Sequence, residues 1–192
     1  MKRYEEIAKR IENKVDVVGA EIGVQRGKTA DYLMRLPQVK RYWCIDPWEY
    51  IPEYAAVVAY KNVGPRMTCR LFSQFLSHAL DYPHKVRIIT APSVIAAKVI
   101  EDQSLDFVFI DATHNFKCVN EDITAWLPKV KHGGFIGGHD YNDDRFPGVK
   151  QAVEGWNFPT LEVGNDHTWF APVGVQYNIN VNRLHSLPNR VH

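Results

Sequence analysis

Short apolar, β-rich runs alternate with helix-patterned segments along most of this chain, and no other feature limits its fold so tightly. The runs are 15–23 (VDVVGAEIG), 41–46 (RYWCID), 85–90 (KVRIIT), 105–111 (LDFVFID) and 133–138 (GGFIGG). Helical patterns lie between them at 28–36, 54–80, 93–101 and 116–130, with another at 148–156. Regular alternation of this kind implies a parallel sheet with helices on both faces, and continuous stretches such as FVFI fit strands buried on both sides. Two later runs, 159–164 (PTLEVG) and 167–173 (HTWFAPV), flank the tight sequence GND at 164–166, which predicts an antiparallel hairpin. The expectation is a doubly wound α/β fold with about seven strands. Residues 1–173 form one domain in this reading, and 174–192 form a tail or an arm against another subunit. An amphipathic helix opens the chain, with Tyr4, Ile7, Ala8 and Ile11 on one face.

Charge narrows the choice of partner. Lys plus Arg number 23 against 22 Asp plus Glu, so the net +1 creates no field that favours nucleic acid or an anionic membrane. The expected partner is a small molecule. Three dispersed cysteines, Cys44, Cys69 and Cys118, form no C-x-x-C pair and read as reduced thiols, and no long apolar span or signal-like segment is evident. A cytoplasmic protein is expected.

The segment VGAEIGVQRGKT at 18–29 ends the first strand and opens a helix. In open parallel sheets ligands bind at the carboxyl ends of the strands, where strand order reverses. The dinucleotide pattern G-x-G-x-x-G is absent, and the spacing from Gly23 to Gly27-Lys28-Thr29 is one residue short of a P-loop. What remains is E-x-G-x-x-x-G. A carboxylate at Glu21 repels phosphate and attracts an amino or sulfonium group. Asp46, at the end of the second strand, is placed to accept ribose hydroxyls. Taken singly, Glu21 and Asp46 are more often explained as turn or capping groups; their occurrence at successive strand ends points to one site. A ribose beside a cationic amino-acid end describes S-adenosylmethionine.

AEIGVQRGKTADYL, YWCIDPW, LDFVFIDATHNF and PKVKHGGFIGGHDY, in that order, resemble the motifs of class I S-adenosylmethionine-dependent methyltransferases over roughly residues 15–173. The resemblance implies a Rossmann-like sheet and a donor site. Glu21, Gly23, Val24, Gly27 and Thr29 would line its methionine end, and Asp46, Pro47 and Trp48 its ribose. Pro92 and Ser93 would lie beside the adenine, and Asp111 and Ala112 would face the methyl group.

Two further strand ends carry polar clusters, Asp111 with His114 in DATH and His139 with Asp140 in GGHDY. They resemble the metal-assisted O-methyltransferases of catechol and macrocin type, whose acids after the fourth and fifth strands hold a divalent ion. The resemblance implies Asp111, His139 and Asp140 as ligands for Mg²⁺ or Mn²⁺. Those relatives carry Asp-Asn or Asp-Asp where this chain has His139-Asp140, which leaves the metal open. Asp111, His114, His139 and Asp140 form the candidate catalytic set, with either histidine as base for a substrate hydroxyl. Trp48, Tyr50, Tyr54 and Tyr60 could stack on adenine or a sugar, or pack on the core. The loop NDDRFP at 142–147 reads as part of a lid. The competing functions are an NAD-binding oxidoreductase and a non-catalytic donor-binding subunit, and a homo-oligomer fits either.

Overall fold

A computed structural model describes residues 1–49 and 64–174. Tyr50, Tyr54 and Tyr60, the first part of the helix expected over 54–80, and the 174–192 arm beyond its first residue lie outside the described residues.

The elements follow in the order α1 (Arg3–Ile11), β1 (Val17–Ile22), α2 (Lys28–Met34), β2 (Val39–Ile45), α3 (Pro65–Ala79), β3 (Val86–Ile89), α4 (Ser93–Ala96), β4 (Leu105–Ile110), α5 (Phe116–Trp126), β5 (Val130–Gly138), α6 (Pro147–Gly155), β6 (Glu162–Val163) and β7 (Trp169–Pro172). They build a seven-stranded sheet in the order β3-β2-β1-β4-β5-β7-β6. The five strands from β3 to β5 run parallel, and β7 pairs antiparallel with both β5 and β6. The fold class matches the expectation, including the terminal hairpin. Among the described residues no helix is long and apolar enough to cross a membrane.

Strand periodicity divides the core. In β4, Phe107 and Phe109 join the layer under α1, α2 and α3, while Val108 and Ile110 join the layer under α4, α5 and α6. The same period places Ala20 and Ile22 of β1 in the second layer and Val17 in the first. Glu21 therefore points to the α1 side, where the phenol of Tyr42 reaches it.

Two helices end well short of their sequence patterns. The run at 93–101 is one helical turn over Ser93–Ala96 followed by a 3-10 turn, and the run at 116–130 stops at Trp126 before a 3-10 turn over Leu127–Lys129. Pro128 lacks the N–H that would continue α5. Asn115 starts that helix by accepting from the Cys118 N–H. Ser93 does not cap α4; Pro92 occupies that position, and the Ser93 hydroxyl accepts from the Trp126 indole instead.

β1 has β2 on one side and β4 on the other, so connections leave it in opposite directions. This is the switch point, and ladder-like hydrogen bonds continue one residue past the strands there. Gly23 N–H donates to Ile45, Asp111 to Ile22, His139 to Ile110 and Asp46 to Ile89. Five adjacent strand tips are thereby held in line.

Candidate active site

A cavity of about 570 Å³ opens at these tips. Its wall includes Glu21, Gly23, Val24, Thr29, Asp46, Pro47, Trp48, Pro92, Ser93, Asp111, Ala112, His114, His139 and Asp140. Of the candidate residues that are described, only Gly27 is absent from the lining. Gly27 adopts φ +79 at the start of α2, and a Cβ there would meet the Phe75 ring at 2.6 Å, so its role is steric. Gly23 does border the cavity. At φ +88 it packs so closely on the Asp111 carbonyl that no side chain fits, and that contact brings the β1 and β4 tips together.

Glu21 is 2% exposed. Burial, and then the negative field of Asp111, push its carboxyl up to about 8, against the pull of Arg3, Thr29 and Tyr42. It is largely protonated at neutral pH.

Asp46 ties two loops together. Its oxygens accept the Gln25 N–H at 2.9 Å and the Trp48 N–H at 2.7 Å, and burial raises its pKa. Each oxygen retains a lone pair for a further donor. Trp48 sits at φ +44, donates its indole N–H to the Gln25 carbonyl, packs tilted against Phe72 at 4.6 Å and stacks on Phe75 at 4.9 Å. The packing alternative thus accounts for much of this ring, although it also borders the cavity.

Asp140 lies at the centre of the second cluster, in a left-handed backbone conformation at φ +61. One of its oxygens is 2.7 Å from His114 Nε2 and the other 3.0 Å from His139 Nδ1. Burial opposes its charge, but the two imidazoles outweigh burial and hold its carboxyl far below the usual range. His139 shows the converse: burial disfavours its charge, yet Asp140 and Asp111 raise its pKa. Asp111 is itself raised by burial, with Arg3 and His139 pulling the other way. The His114 ring stacks on Phe146 at 4.2 Å, which places the end of the NDDRFP loop against the site. His114 Nδ1 and both His139 nitrogens are buried without hydrogen-bond partners; the 3.0 Å approach of His139 to Asp140 is an ionic contact lacking hydrogen-bond geometry.

Arg3 and Asp122 also line the cavity and lie outside the sequence motifs. Arg3 of α1 reaches Asp111 at 3.2 Å and donates to the Thr29 hydroxyl at 3.3 Å. Nothing local marks it, because its position depends on α1 docking against the distant β6–β7 hairpin. Asp122 was detectable in principle. It occupies the buried stripe of α5 with Val119, Ile123 and Trp126, where an acid is out of place. Burial pushes its carboxyl up to about 7, moderated by the Ser93 hydroxyl.

The family model described as "Methyltransferase domain" matches residues 20–141, well over half of the chain. The chain belongs to this methyltransferase family. The family implies S-adenosylmethionine as the donor for this methyltransferase. Its fold is similar to that of the O-methyltransferase NovP, with a TM-score of 0.68 and 19% identity over 90% of this chain and 79% of that one. A putative O-methyltransferase from Klebsiella pneumoniae gives 0.62 at 18% identity, covering 90% and 80% of the two chains. The calicheamicin methyltransferase CalS11 gives 0.62 at 13% identity, covering 88% and 76%. No curated protein matches the sequence.

Proposed function

We propose that this methyltransferase transfers the methyl group of S-adenosylmethionine to a hydroxyl of a small molecule. One observation carries the choice of an oxygen acceptor: His114, in the cavity wall, holds Asp140 through Nε2 at 2.7 Å while its buried Nδ1 has no partner. A carboxylate that accepts the Nε2 proton fixes the tautomer with a free lone pair on Nδ1. A general base in that state is what a neutral hydroxyl requires.

In this reading Glu21, Gly23 and Thr29 meet the methionine end, Asp46 accepts from the ribose, and Pro92 and Ser93 border the adenine. The acceptor enters between Asp111 and the His114–Phe146 stack. Its hydroxyl proton passes to His114 Nδ1, and its oxygen forms a bond to the methyl carbon. The carbon–sulfur bond breaks, its electron pair stays on sulfur, and the sulfonium becomes a neutral thioether. Positioning of oxygen, carbon and sulfur in line supplies much of the rate.

The residues at the strand tips fit a divalent ion. Asp111, His139 and Asp140 offer one donor atom each, all within 4.8 Å of one another, and the His139 nitrogens have no hydrogen-bond partner that would compete. One imidazole among carboxylates suits Mn²⁺ better than Mg²⁺. When bound, the ion supplies a Lewis acid that lowers the acceptor hydroxyl's pKa.

Calorimetric titration with S-adenosylmethionine, S-adenosylhomocysteine and NAD tests the donor, with binding of the first two alone expected. Transfer of labelled methyl to sugars, catechols and small amines, with Mn²⁺, Mg²⁺ or chelator, tests the acceptor. Transfer confined to amines would refute the hydroxyl assignment, and donor binding without any transfer would favour a non-catalytic subunit.

A further inference from the structure

The donor's methionine end carries two opposite charges, an ammonium and a carboxylate. The wall assigned to it above contains Glu21, Asp111 stands near enough to act on that carboxyl, and Asp140 and Asp166 contact His139. In their charged forms these groups suit the ammonium and repel the carboxylate. Four lysines or arginines line the cavity among the described residues, Arg3, Arg26, Lys28 and Arg145; the last three are exposed, and Arg3 alone is partly buried.

Arg3 is also the one aimed at this wall. Its Nη1 lies 3.2 Å from Asp111 Oδ2, its Nε donates to the Thr29 hydroxyl at 3.3 Å, and its main-chain N–H donates to Asp166 at 3.0 Å. Thr29, only 1% exposed, offers a hydroxyl beside the guanidinium. A guanidinium has five N–H donors in a planar fork, so one edge can stay on Asp111 while another takes a second carboxylate. α1 is fixed from outside the site: the buried Glu6 carboxylate accepts from the Asn165 N–H and the Thr168 hydroxyl, and Arg10 pairs with Glu162 at 2.6 Å. The arginine is therefore presented by a docked helix rather than by a loose terminus.

We propose that Arg3 binds the α-carboxylate of the donor and makes the pocket selective for nucleosides that carry a complete amino-acid end. The proposal rests on the donor reading of the preceding subsection. In the bound state the guanidinium bridges Asp111 and the ligand carboxylate, the Thr29 hydroxyl holds its Nε edge, and the ligand ammonium faces Glu21. Arg3 is a binding residue in this assignment and takes no part in methyl transfer.

Two ligands isolate the effect: S-adenosylhomocysteine, and its decarboxylated analogue, which keeps the ammonium and lacks the carboxylate. Each is titrated calorimetrically into the full chain as wild type, Arg3→Ala and Arg3→Lys. The wild type is expected to prefer S-adenosylhomocysteine by tenfold or more. Arg3→Ala is expected to bind S-adenosylhomocysteine at least tenfold more weakly while holding the analogue within about threefold of wild type, and Arg3→Lys to lie between. Retained analogue binding shows that the variant is folded; should the alanine variant melt early, Arg3→Gln replaces it. Equal losses for both ligands would mean that Arg3 only positions Asp111, and an unchanged preference would mean that it never meets the carboxylate; either result overturns the proposal. Failure of the wild type to bind either ligand is a different result, which overturns the donor reading itself.

Discussion

His114 Nε2 and Asp140 Oδ2 are 2.7 Å apart, joining the loop after β4 to the tip of β5. If this pair delivers the base, His114→Ala and Asp140→Asn should each lower kcat by roughly 100- to 10,000-fold. S-adenosylhomocysteine affinity should stay within about twofold of wild type for His114→Ala. Radiolabelled methyl transfer alongside calorimetry separates the two effects; full turnover in both variants would remove the dyad from the chemistry.

The buried carboxyl of Glu21 gives stability a pH dependence. Its pKa rises from an ordinary 4.5 to about 8 in the fold, so the folded state holds this proton more tightly than the unfolded chain. Its contribution is complete below about pH 4.5, shrinks as pH rises, and is lost as pH passes through about 8. Each unit of the shift corresponds to ~1.4 kcal/mol. Glu21→Gln should therefore melt near the wild-type temperature at pH 4.5 and several degrees above it at pH 8, while binding S-adenosylmethionine at least tenfold more weakly. Melting curves across that range decide the point.

Gly23 has no room for a Cβ against the Asp111 carbonyl and has a left-handed backbone. Gly23→Ala is expected to cost about 2 kcal/mol or more and to abolish donor binding. Gly155, with nothing within 4 Å of a built Cβ, is the matched control, and its alanine variant should be neutral. Urea unfolding of both variants provides the comparison.

Glu6 is 4% exposed and accepts hydrogen bonds at 2.8 and 2.9 Å from the hairpin loop. Glu6→Ala leaves those donors unpaired, so a loss of ~2–4 kcal/mol is expected in urea unfolding. Because α1 carries Arg3, the variant should also weaken S-adenosylhomocysteine binding. Glu6→Gln, which retains an acceptor oxygen, should lose less on both measures.

The sequence by itself determined the layer plan. Alternation of period-2 and period-3.6 hydrophobic patterns is set by local backbone geometry, so β1 to β5, the helices between them and the β6–β7 hairpin could be located without coordinates. Strand-tip residues followed from the same reasoning, since a parallel sheet aligns the carboxyl ends of its strands; Glu21, Asp46, Asp111 and His139 are neighbours for that reason. Helix ends were less legible, as in α4 and α5, where a proline and a 3-10 turn overrule the apolar pattern.

Only the tertiary structure decided which side chains face one another across elements. Arg3 meets Asp111 across more than a hundred residues of sequence because Glu6 docks α1 on the hairpin, and the Trp48 ring is covered by α3. Such contacts depend on rotations and distances between whole elements. Hydrophobic periodicity tells each element which face to bury, but it leaves unspecified the partner that a single polar side chain on that face will find.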